Sequence, residues 1–220
     1  SMYIHCMISW KRTDIRFIRR YVDEIVDAEP DYLGYSIRGA MSPISREIIA
    51  RVKEKTGIPV IVGGSFTPFV TPEGIENLFS KQGFDYLVVG AGDEALPALL
   101  ESLADKREPH GIANVAFRTA DGVKVNDIDV VKDPDTLPYP DFSQFDLDLY
   151  PTPVRILTFQ SARGCYWRKC AFCSHHNIDF GKYKTWKIEN VVKQIRHLQT
   201  AYDCSHFFLA DESLSPNRAR

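Results

Sequence analysis

The sequence has no long apolar run, no block of Lys and Arg residues, and no basic-then-apolar segment at its start. The first absence argues against a membrane-spanning helix and the last against a secretory signal peptide. Its net charge is −2, from 27 basic and 29 acidic residues, so there is no electrostatic case for nucleic-acid binding. Five cysteines, an odd number with uneven spacing, do not suit a disulfide framework. We therefore expect a cytosolic globular protein with neither a nucleic-acid nor a membrane partner.

Three of the five cysteines crowd into one short segment. Cys165, Cys170 and Cys173 follow the pattern C-x4-C-x2-C. Three thiolates on one loop can hold three corners of an iron-sulfur cube and leave the fourth iron open to a substrate or cofactor. Cysteines are also commonly buried as small apolar residues, but three within nine positions disfavour that interpretation. The segment therefore predicts an iron-sulfur site.

Two other metal centres fit the same thiols. A structural zinc site would take His175 or His176 as its fourth ligand, although the second close-set cysteine pair that is usual in such sites is missing. A two-iron cluster of plant-ferredoxin spacing would add the downstream Cys204. The bulky residues of the loop argue against that cluster, and Cys204, between a predicted helix and strand, is interpreted as a buried thiol.

The first half of the chain alternates strand and helix patterns. Apolar stretches predict strands at residues 3–8, 32–37, 58–62 and 86–89, and apolar stripes of helical spacing predict helices at about 15–26, 44–52, 73–80 and 95–103. Gly57 is expected to end the second helix. This alternation predicts a Rossmann-like α/β fold with a parallel sheet. Asp121-Gly122, between two strand-like stretches, predicts a hairpin that closes the region.

Two predicted strands run directly into glycines, at residues 62–65 and 89–92. Ligands of open parallel sheets bind outside such carboxyl ends, and glycine allows the backbone to approach a ligand closely. Ordinary turn formation also calls for glycine. Residues 90–95 match a dinucleotide fingerprint, but Asp93 and Glu94 would occupy the helix N-terminus that a pyrophosphate needs, so we reject that interpretation.

The second half begins after an acidic, proline-rich stretch at residues 133–141, which is typical of an extended connection. A strand at 154–159 leads into the cysteine loop, followed by a helix at 188–198 and a strand at 206–210 that ends at Asp211-Glu212. This is the start of a βαβ barrel with the cysteine loop on the face that carries chemistry. The predicted divisions are residues 2–128, a linker at 129–153, and 154–220.

The order of these features resembles the cobalamin-binding radical S-adenosylmethionine enzymes over nearly the whole chain. The resemblance is carried by Leu137-Pro138-Tyr139-Pro140-Asp141, Arg163-Gly164-Cys165, Cys170 and Phe172-Cys173. It implies a cobalamin-binding α/β domain followed by the first βαβ portion of a radical S-adenosylmethionine (β/α) barrel. It also implies that the three cysteines bind a four-iron four-sulfur cluster whose open iron chelates S-adenosylmethionine.

The resemblance assigns further residues to cofactors. Phe172 would lie against the adenine, and Asp211 and Glu212 would hold the methionyl amino group. The corrin-facing positions of the first domain would be Ser36, Gly63, Gly64, Ser65, Gly90 and Gly92. No D-x-H-x-x-G triplet is present, so a histidine ligand beneath cobalt is not expected.

The function implied is reductive cleavage of S-adenosylmethionine, with methyl transfer as one candidate reaction, an unidentified substrate, and a reductant such as flavodoxin or ferredoxin. No catalytic side chain is assigned. A (β/α)8 barrel takes about 250 residues, and the sequence stops soon after the second barrel strand. We therefore expect a fragment that does not turn over by itself.

Overall fold

The computed structural model describes residues 15–38, 43–130, 133–174, 180 and 182–214. These residues form two compact units, one up to residue 130 and one from residue 133. The strand predicted at residues 3–8 lies outside the described residues. Within the described ranges, no helix has both the length and the apolar character needed to cross a membrane.

The first unit alternates helices and strands as the sequence predicts. Its elements are α1 (Ile15–Asp27), β1 (Leu33–Ser36), α2 (Pro43–Thr56), β2 (Val60–Gly63), α3 (Pro72–Gln82), β3 (Tyr86–Val88), α4 (Ala95–Ala104), β4 (Val115–Thr119) and β5 (Gly122–Val125). A short 3-10 helix, Thr67–Phe69, follows β2.

The five strands form one sheet in the order β1-β2-β3-β4-β5. β1, β2 and β3 are parallel, whereas β4 runs antiparallel to β3 and β5 antiparallel to β4. Thr119 pairs with Gly122 across the turn at Asp121-Gly122, so the predicted hairpin is confirmed. The predicted Rossmann-like α/β fold is confirmed as a parallel-rich mixed sheet.

Helices cover both faces of this sheet. Val60 and Val62 of β2 pack in one cluster with residues of α2 and α3, while Ile61, between them, packs in the opposite cluster with Leu99 of α4. Because successive strand residues point to opposite faces, a strand covered on both sides reads as an unbroken apolar run. This is why β2 shows no polar alternation.

Capping residues fix the helix ends. Gly57 follows α2 with φ +68° and donates its N–H to the carbonyl of Lys53 at 2.8 Å, which is a left-handed C-terminal cap and confirms the predicted end of α2. The Thr71 side chain accepts a hydrogen bond from the Gly74 N–H at the start of α3, with Pro72 in the first turn.

The second unit contains the predicted βαβ arrangement. β6 (Ile156–Phe159) and β9 (His206–Leu209) pair in parallel, with α5 (Ile188–Tyr202) between them in sequence. Leu157 of β6 and Leu198 of α5 are both buried in the core of this unit. The parallel strand pair therefore presents its two carboxyl ends at one edge.

The stretch at residues 133–150 belongs to the second unit, and several of its residues contact α5 and the residue before it. Tyr202 donates its hydroxyl to the Asp141 carboxylate at 2.7 Å and accepts the Phe142 N–H at 2.8 Å. Asp135 accepts the Lys187 N–H at 3.0 Å and so caps the N-terminus of α5, which has no cap from its own N-cap side chain. The predicted boundaries at residues 128, 129–153 and 154 stay predictions.

A two-residue ladder closes the base of the cysteine loop. β7 (Ala162–Arg163) pairs antiparallel with β8 (Lys184–Thr185). The Trp186 N–H extends this pairing with a bond to the Ser161 carbonyl at 3.0 Å. This pairing therefore fixes the two ends of the segment that contains the three cysteines.

Candidate functional site

The cysteine loop begins beyond the carboxyl end of β6, directly after β7. Cys165 and Cys173 are half-buried and Cys170 is exposed, and none of the three forms a disulfide. Backbone in the left-handed region at Gly164 (φ 80°) and Arg168 (φ 53°) bends the segment around Cys165. The Cys173 N–H donates to the Cys170 carbonyl at 3.2 Å, so the last two cysteines share one turn.

Backbone hydrogen bonds lower the pKa of the Cys165 thiol. Its pKa is lowered chiefly by a hydrogen bond from the Arg168 N–H, and further by the Trp167 N–H, against burial and the nearby Glu212 charge, which raise it. The thiolate is the form of cysteine that binds metals. Two backbone N–H groups therefore favour the form of this sulfur that binds a metal.

The residues that follow β9 line the start of the loop. Glu212 accepts the Gly164 N–H at 3.2 Å. Asp211 accepts hydrogen bonds from Ser161 and Ala162 at 2.6 to 3.0 Å. Because β6 and β9 are parallel neighbours, the predicted pair Asp211 and Glu212 lies beside the segment that leads into the cysteines. Whether either carboxylate binds an amino group stays a prediction.

Aromatic rings lie exposed on the same loop. Phe172 is 92% exposed, and Tyr166 and Trp167 are also exposed. Tyr166 meets Tyr183 edge to face, with 5.9 Å between the ring centroids. The Phe172 ring, uncovered between two cysteines in sequence, could stack on a flat ligand, and its contact with adenine stays a prediction.

The donor set fits an iron-sulfur cluster in its chemistry. Among the residues that the structure describes, no three Cys, His, Asp or Glu side chains are placed to hold a single metal ion together. The ligands of an iron-sulfur cube each bind a different iron, so their sulfurs need not converge on one point. Three thiols on one loop, with N–H donors aimed at one of them, suit such a cluster. His175 and His176, named for the zinc alternative, lie outside the described residues.

Cys204 stands apart from the three loop cysteines. It is 2% exposed within the core of the second unit, and its Sγ lies 3.1 Å from the carbonyl oxygens of Arg155 and His206. It precedes β9, whereas the cysteine loop follows β6, so the two occupy opposite ends of a parallel strand pair. The two-iron alternative would need all four sulfurs at one end.

The predicted corrin-facing residues of the first unit all meet at one sheet edge. They lie at or just beyond the carboxyl ends of the three adjacent parallel strands β1, β2 and β3. Those residues are Ser36, Gly63, Gly64, Ser65, Gly90 and Gly92. Both serines are exposed and the four glycines half-buried. Ligands of parallel sheets bind at such an edge, and the role of each residue in cobalamin binding stays a prediction.

The glycines differ in what the fold requires of them. Gly64 has φ +110°, and a Cβ there would lie 2.5 Å from the Ile37 carbonyl oxygen, so close packing against the end of β1 already explains it. A Cβ at Gly63 or Gly92 would meet only Val88, at 3.7 and 3.6 Å, which is an ordinary contact. Packing within the chain therefore does not explain those two.

A side chain that no sequence pattern identified joins two of these turns. Thr67 is completely buried, donates its hydroxyl to the Gly64 carbonyl at 2.9 Å and accepts the Gly90 N–H at 3.0 Å. Asn114, in the left-handed region with φ 66°, donates to the Ala91 carbonyl at 3.3 Å. No local pattern marks either residue, because both contacts span 23 residues.

The chain resembles one curated protein over most of its length. No protein-family model matches it. It is 21% identical over 210 residues to 4'-phospho-dehydrooxetanocin synthase from Priestia megaterium. The aligned region covers 89% of this chain and 27% of that protein. A stretch of 66 residues is 42% identical to geranylgeranylglyceryl phosphate synthase from Spirosoma linguale. That stretch covers 30% of this chain and 25% of that protein. The second match is too short to carry that activity over.

Solved structures match the fold over nine tenths of the chain. One is TsrM from Kitasatospora setae, a radical S-adenosylmethionine methyltransferase, with a TM-score of 0.63, 19% identity, and coverage of 93% of this chain and 41% of that one. Another is OxsB, a cobalamin-dependent S-adenosylmethionine radical enzyme, with a TM-score of 0.68, 21% identity, and coverage of 91% and 28%. The chain thus has the fold of part of these proteins and spans well under half of their length.

Proposed function

We propose that this chain is part of a cobalamin-dependent radical S-adenosylmethionine enzyme, in which Cys165, Cys170 and Cys173 bind a four-iron four-sulfur cluster. One observation carries the proposal: the three thiols lie on one loop beyond the carboxyl end of β6, in a chain whose fold matches such enzymes on both of its units. The C-x4-C-x2-C segment would leave one iron of a bound cluster without a cysteine ligand, and that iron would be the site for S-adenosylmethionine.

The loop residues hold and orient the cofactors. The Arg168 and Trp167 N–H groups stabilise negative charge on the Cys165 sulfur, as hydrogen bonds to cluster sulfurs do. Phe172 offers its exposed ring to the adenine, and the exposed Glu212 carboxylate offers negative charge to the amino group. When bound, the reduced cluster supplies the electron that cleaves S-adenosylmethionine.

The first unit holds cobalamin at the carboxyl edge of β1, β2 and β3. A corrin is broad, flat and ringed by amides, which suits backbone donors and acceptors at glycine turns. Ser36, Gly63, Gly64, Ser65, Gly90 and Gly92 line that edge. Cobalamin held there would supply a methyl carrier or a radical partner, for a substrate whose identity the longer protein determines. A cytoplasmic location and a flavodoxin or ferredoxin reductant complete the proposal.

Anaerobic reconstitution with iron and sulfide tests the cluster. The 220-residue chain is expected to bind about four irons, and Cys165→Ala, Cys170→Ala and Cys173→Ala are each expected to lose most of them. Cys204→Ala is the matched control and should keep its iron. Two irons that depend on Cys204, or zinc that iron does not displace, would contradict the proposal.

Titration with aquacobalamin, followed by absorption, tests the corrin site. Gly92→Ala adds one methyl at the proposed edge, where the chain itself leaves ordinary room for it, so the fold should persist while binding weakens. Gly34→Ala is the matched control, since a Cβ at that β1 glycine meets nothing within 4 Å. Equal affinity of the two variants would argue against this edge as the binding site.

A further inference from the structure

Asp211 follows β9 at the point where the β6–β9 ladder ends. The last backbone bond of that ladder joins the Ala210 N–H to the Phe159 carbonyl at 2.9 Å. Beyond that bond, the Asp211 carboxylate accepts the next backbone N–H groups of the neighbouring segment. Its Oδ1 accepts the Ser161 N–H at 2.7 Å and the Ala162 N–H at 3.0 Å. The Ser161 hydroxyl donates to Oδ2 at 2.6 Å. The side chain thus continues the ladder by two residues.

Ser161 is held from two sides as a result. Its N–H and hydroxyl go to Asp211, and its carbonyl accepts the Trp186 N–H at 3.0 Å. The neighbouring Ala162 is fully buried and pairs with Thr185. Cys165 lies only three residues beyond Ala162, so the direction in which the cysteine loop leaves the strand is set here.

We infer that Asp211 is a positioning residue, whose carboxylate fixes the start of the cysteine loop for cluster binding, rather than a ligand of the S-adenosylmethionine amino group. The inference rests on the proposed function for its consequence. Groups that orient metal ligands from behind commonly cost metal affinity when they are removed. A loop whose start is already ordered loses less conformational freedom when its thiolates close on a shared centre.

Charge and shape separate the two roles. Binding an ammonium group requires the negative charge of the carboxylate, whereas holding Ser161 and Ala162 requires only hydrogen-bonding atoms in the right places. An asparagine supplies those atoms, because its Oδ1 accepts both N–H groups and its amide donates to the Ser161 hydroxyl oxygen, which can accept. Asp211→Asn therefore keeps the positioning role and removes the charge, while Asp211→Ala removes both.

The experiment compares wild-type chain, Asp211→Asn and Asp211→Ala, with Asp148→Ala as control. Asp148 is a carboxylate of the same unit, 86% exposed, whose side chain pairs with Arg155 at the surface. Hydrogen exchange of residues 160–165 is measured in the iron-free chains. Iron content, the spectrum of the reconstituted cluster, and S-adenosylmethionine affinity at matched iron content are then measured in the reconstituted ones.

If Asp211 positions the start of the cysteine loop, Asp211→Ala should speed amide exchange at residues 160–165 and lower iron affinity by about tenfold. Asp211→Asn and Asp148→Ala should match wild type in exchange, iron content, spectrum and S-adenosylmethionine affinity. Ser161→Ala, which deletes only the hydroxyl contact, should show amide exchange and iron affinity between those of wild type and Asp211→Ala. It replaces Asp211→Ala in the comparison if that variant does not fold.

Two results would overturn the inference. One is a loss of S-adenosylmethionine affinity in Asp211→Asn at unchanged iron content, which would make Asp211 a ligand through its charge. The other is unchanged exchange and iron content in both Asp211→Ala and Ser161→Ala. If no variant binds iron, including wild type, the proposed function fails, and the exchange of the iron-free chains still decides whether Asp211 fixes the loop.

Discussion

The hydroxyl of Thr67 lies 3.0 Å from the backbone nitrogen of Gly90, across 23 residues of sequence. The same hydroxyl donates to the Gly64 carbonyl at 2.9 Å. One buried side chain therefore connects the turn after β2 with the turn after β3. The two turns proposed to face cobalamin are held in a common arrangement by the fold itself.

Replacing Thr67 with valine should loosen this connection. Valine has nearly the same shape but cannot hydrogen bond, so the Gly90 N–H would lose its partner, at a cost of about 2 kcal/mol in the free energy of unfolding. Urea denaturation followed by circular dichroism measures the change. Thr152→Val, at an exposed position, is the control and should change stability by less than about 0.5 kcal/mol. Equal effects of both variants would contradict a linking role for Thr67.

Gly64→Ala should destabilise the chain more than Gly57→Ala does. Both glycines have positive φ, at 110° and 68°, but a Cβ at Gly57 meets nothing within 4 Å, whereas one at Gly64 would meet backbone atoms of Ile37 at 2.5 and 2.7 Å. We expect about 1 kcal/mol for Gly57→Ala from its conformation alone, and about 3 kcal/mol or more at Gly64, where strain and overpacking add. A Gly64→Ala chain as stable as Gly57→Ala would show that β1 can move away without cost.

The cysteines should differ sharply in reactivity toward a maleimide. Cys170 is exposed, whereas Cys204 is buried with its sulfur against two carbonyl oxygens. Cys170 should therefore label in the folded chain, and Cys204 only after unfolding. Mass spectrometry of tryptic peptides reads the two sites separately. Labelling of Cys204 at the rate of Cys170 in the folded chain would contradict the core placement of Cys204.

Asp141 should contribute stability that depends on pH. The Ser143 N–H, and then the Tyr202 hydroxyl, lower its pKa below the ordinary value of 3.8. A carboxyl whose pKa is lower when folded stabilises the fold above its unfolded pKa and loses that contribution as pH falls toward its folded pKa.

The stability difference between wild type and Asp141→Ala should therefore be constant between pH 5 and 7 and shrink below pH 3.8. Urea unfolding followed by the fluorescence of the buried Trp186 reports on this unit. Tyr202→Phe, which removes the donor hydroxyl, should weaken the pH dependence. A difference that stays constant down to pH 2.5 would contradict the ionic contribution.

Local patterns predicted the elements well, because each element carries its own periodicity and caps. The stripe of Ile44, Ile48 and Val52 with Gly57 beyond it gave α2 to within a few residues, and Asp121-Gly122 located the hairpin. The density of thiols at Cys165 to Cys173 identified the candidate metal loop. In each case the signal lies within about a dozen consecutive residues.

The missed contacts all connect distant parts of the chain. β7 and β8 have two residues each, too few for a period to show, and their pairing spans the whole cysteine loop. Asp211 reaches back 50 residues to Ser161, and Thr67 reaches forward to Gly90. Such partners are chosen by how the strands assemble, which no local pattern records.

The reversal of direction at β4 limits how many strand ends can act together. β4 runs opposite to β3, so its carboxyl end lies at the far side of the sheet, and it separates β5 from β1, β2 and β3, the three adjacent strands that end side by side at the proposed edge. Neighbouring strands lie about 4.8 Å apart, so these three ends span about 10 Å. A ligand that touches all three turns at once must be at least that wide, so a single nucleobase or sugar is too small to do so.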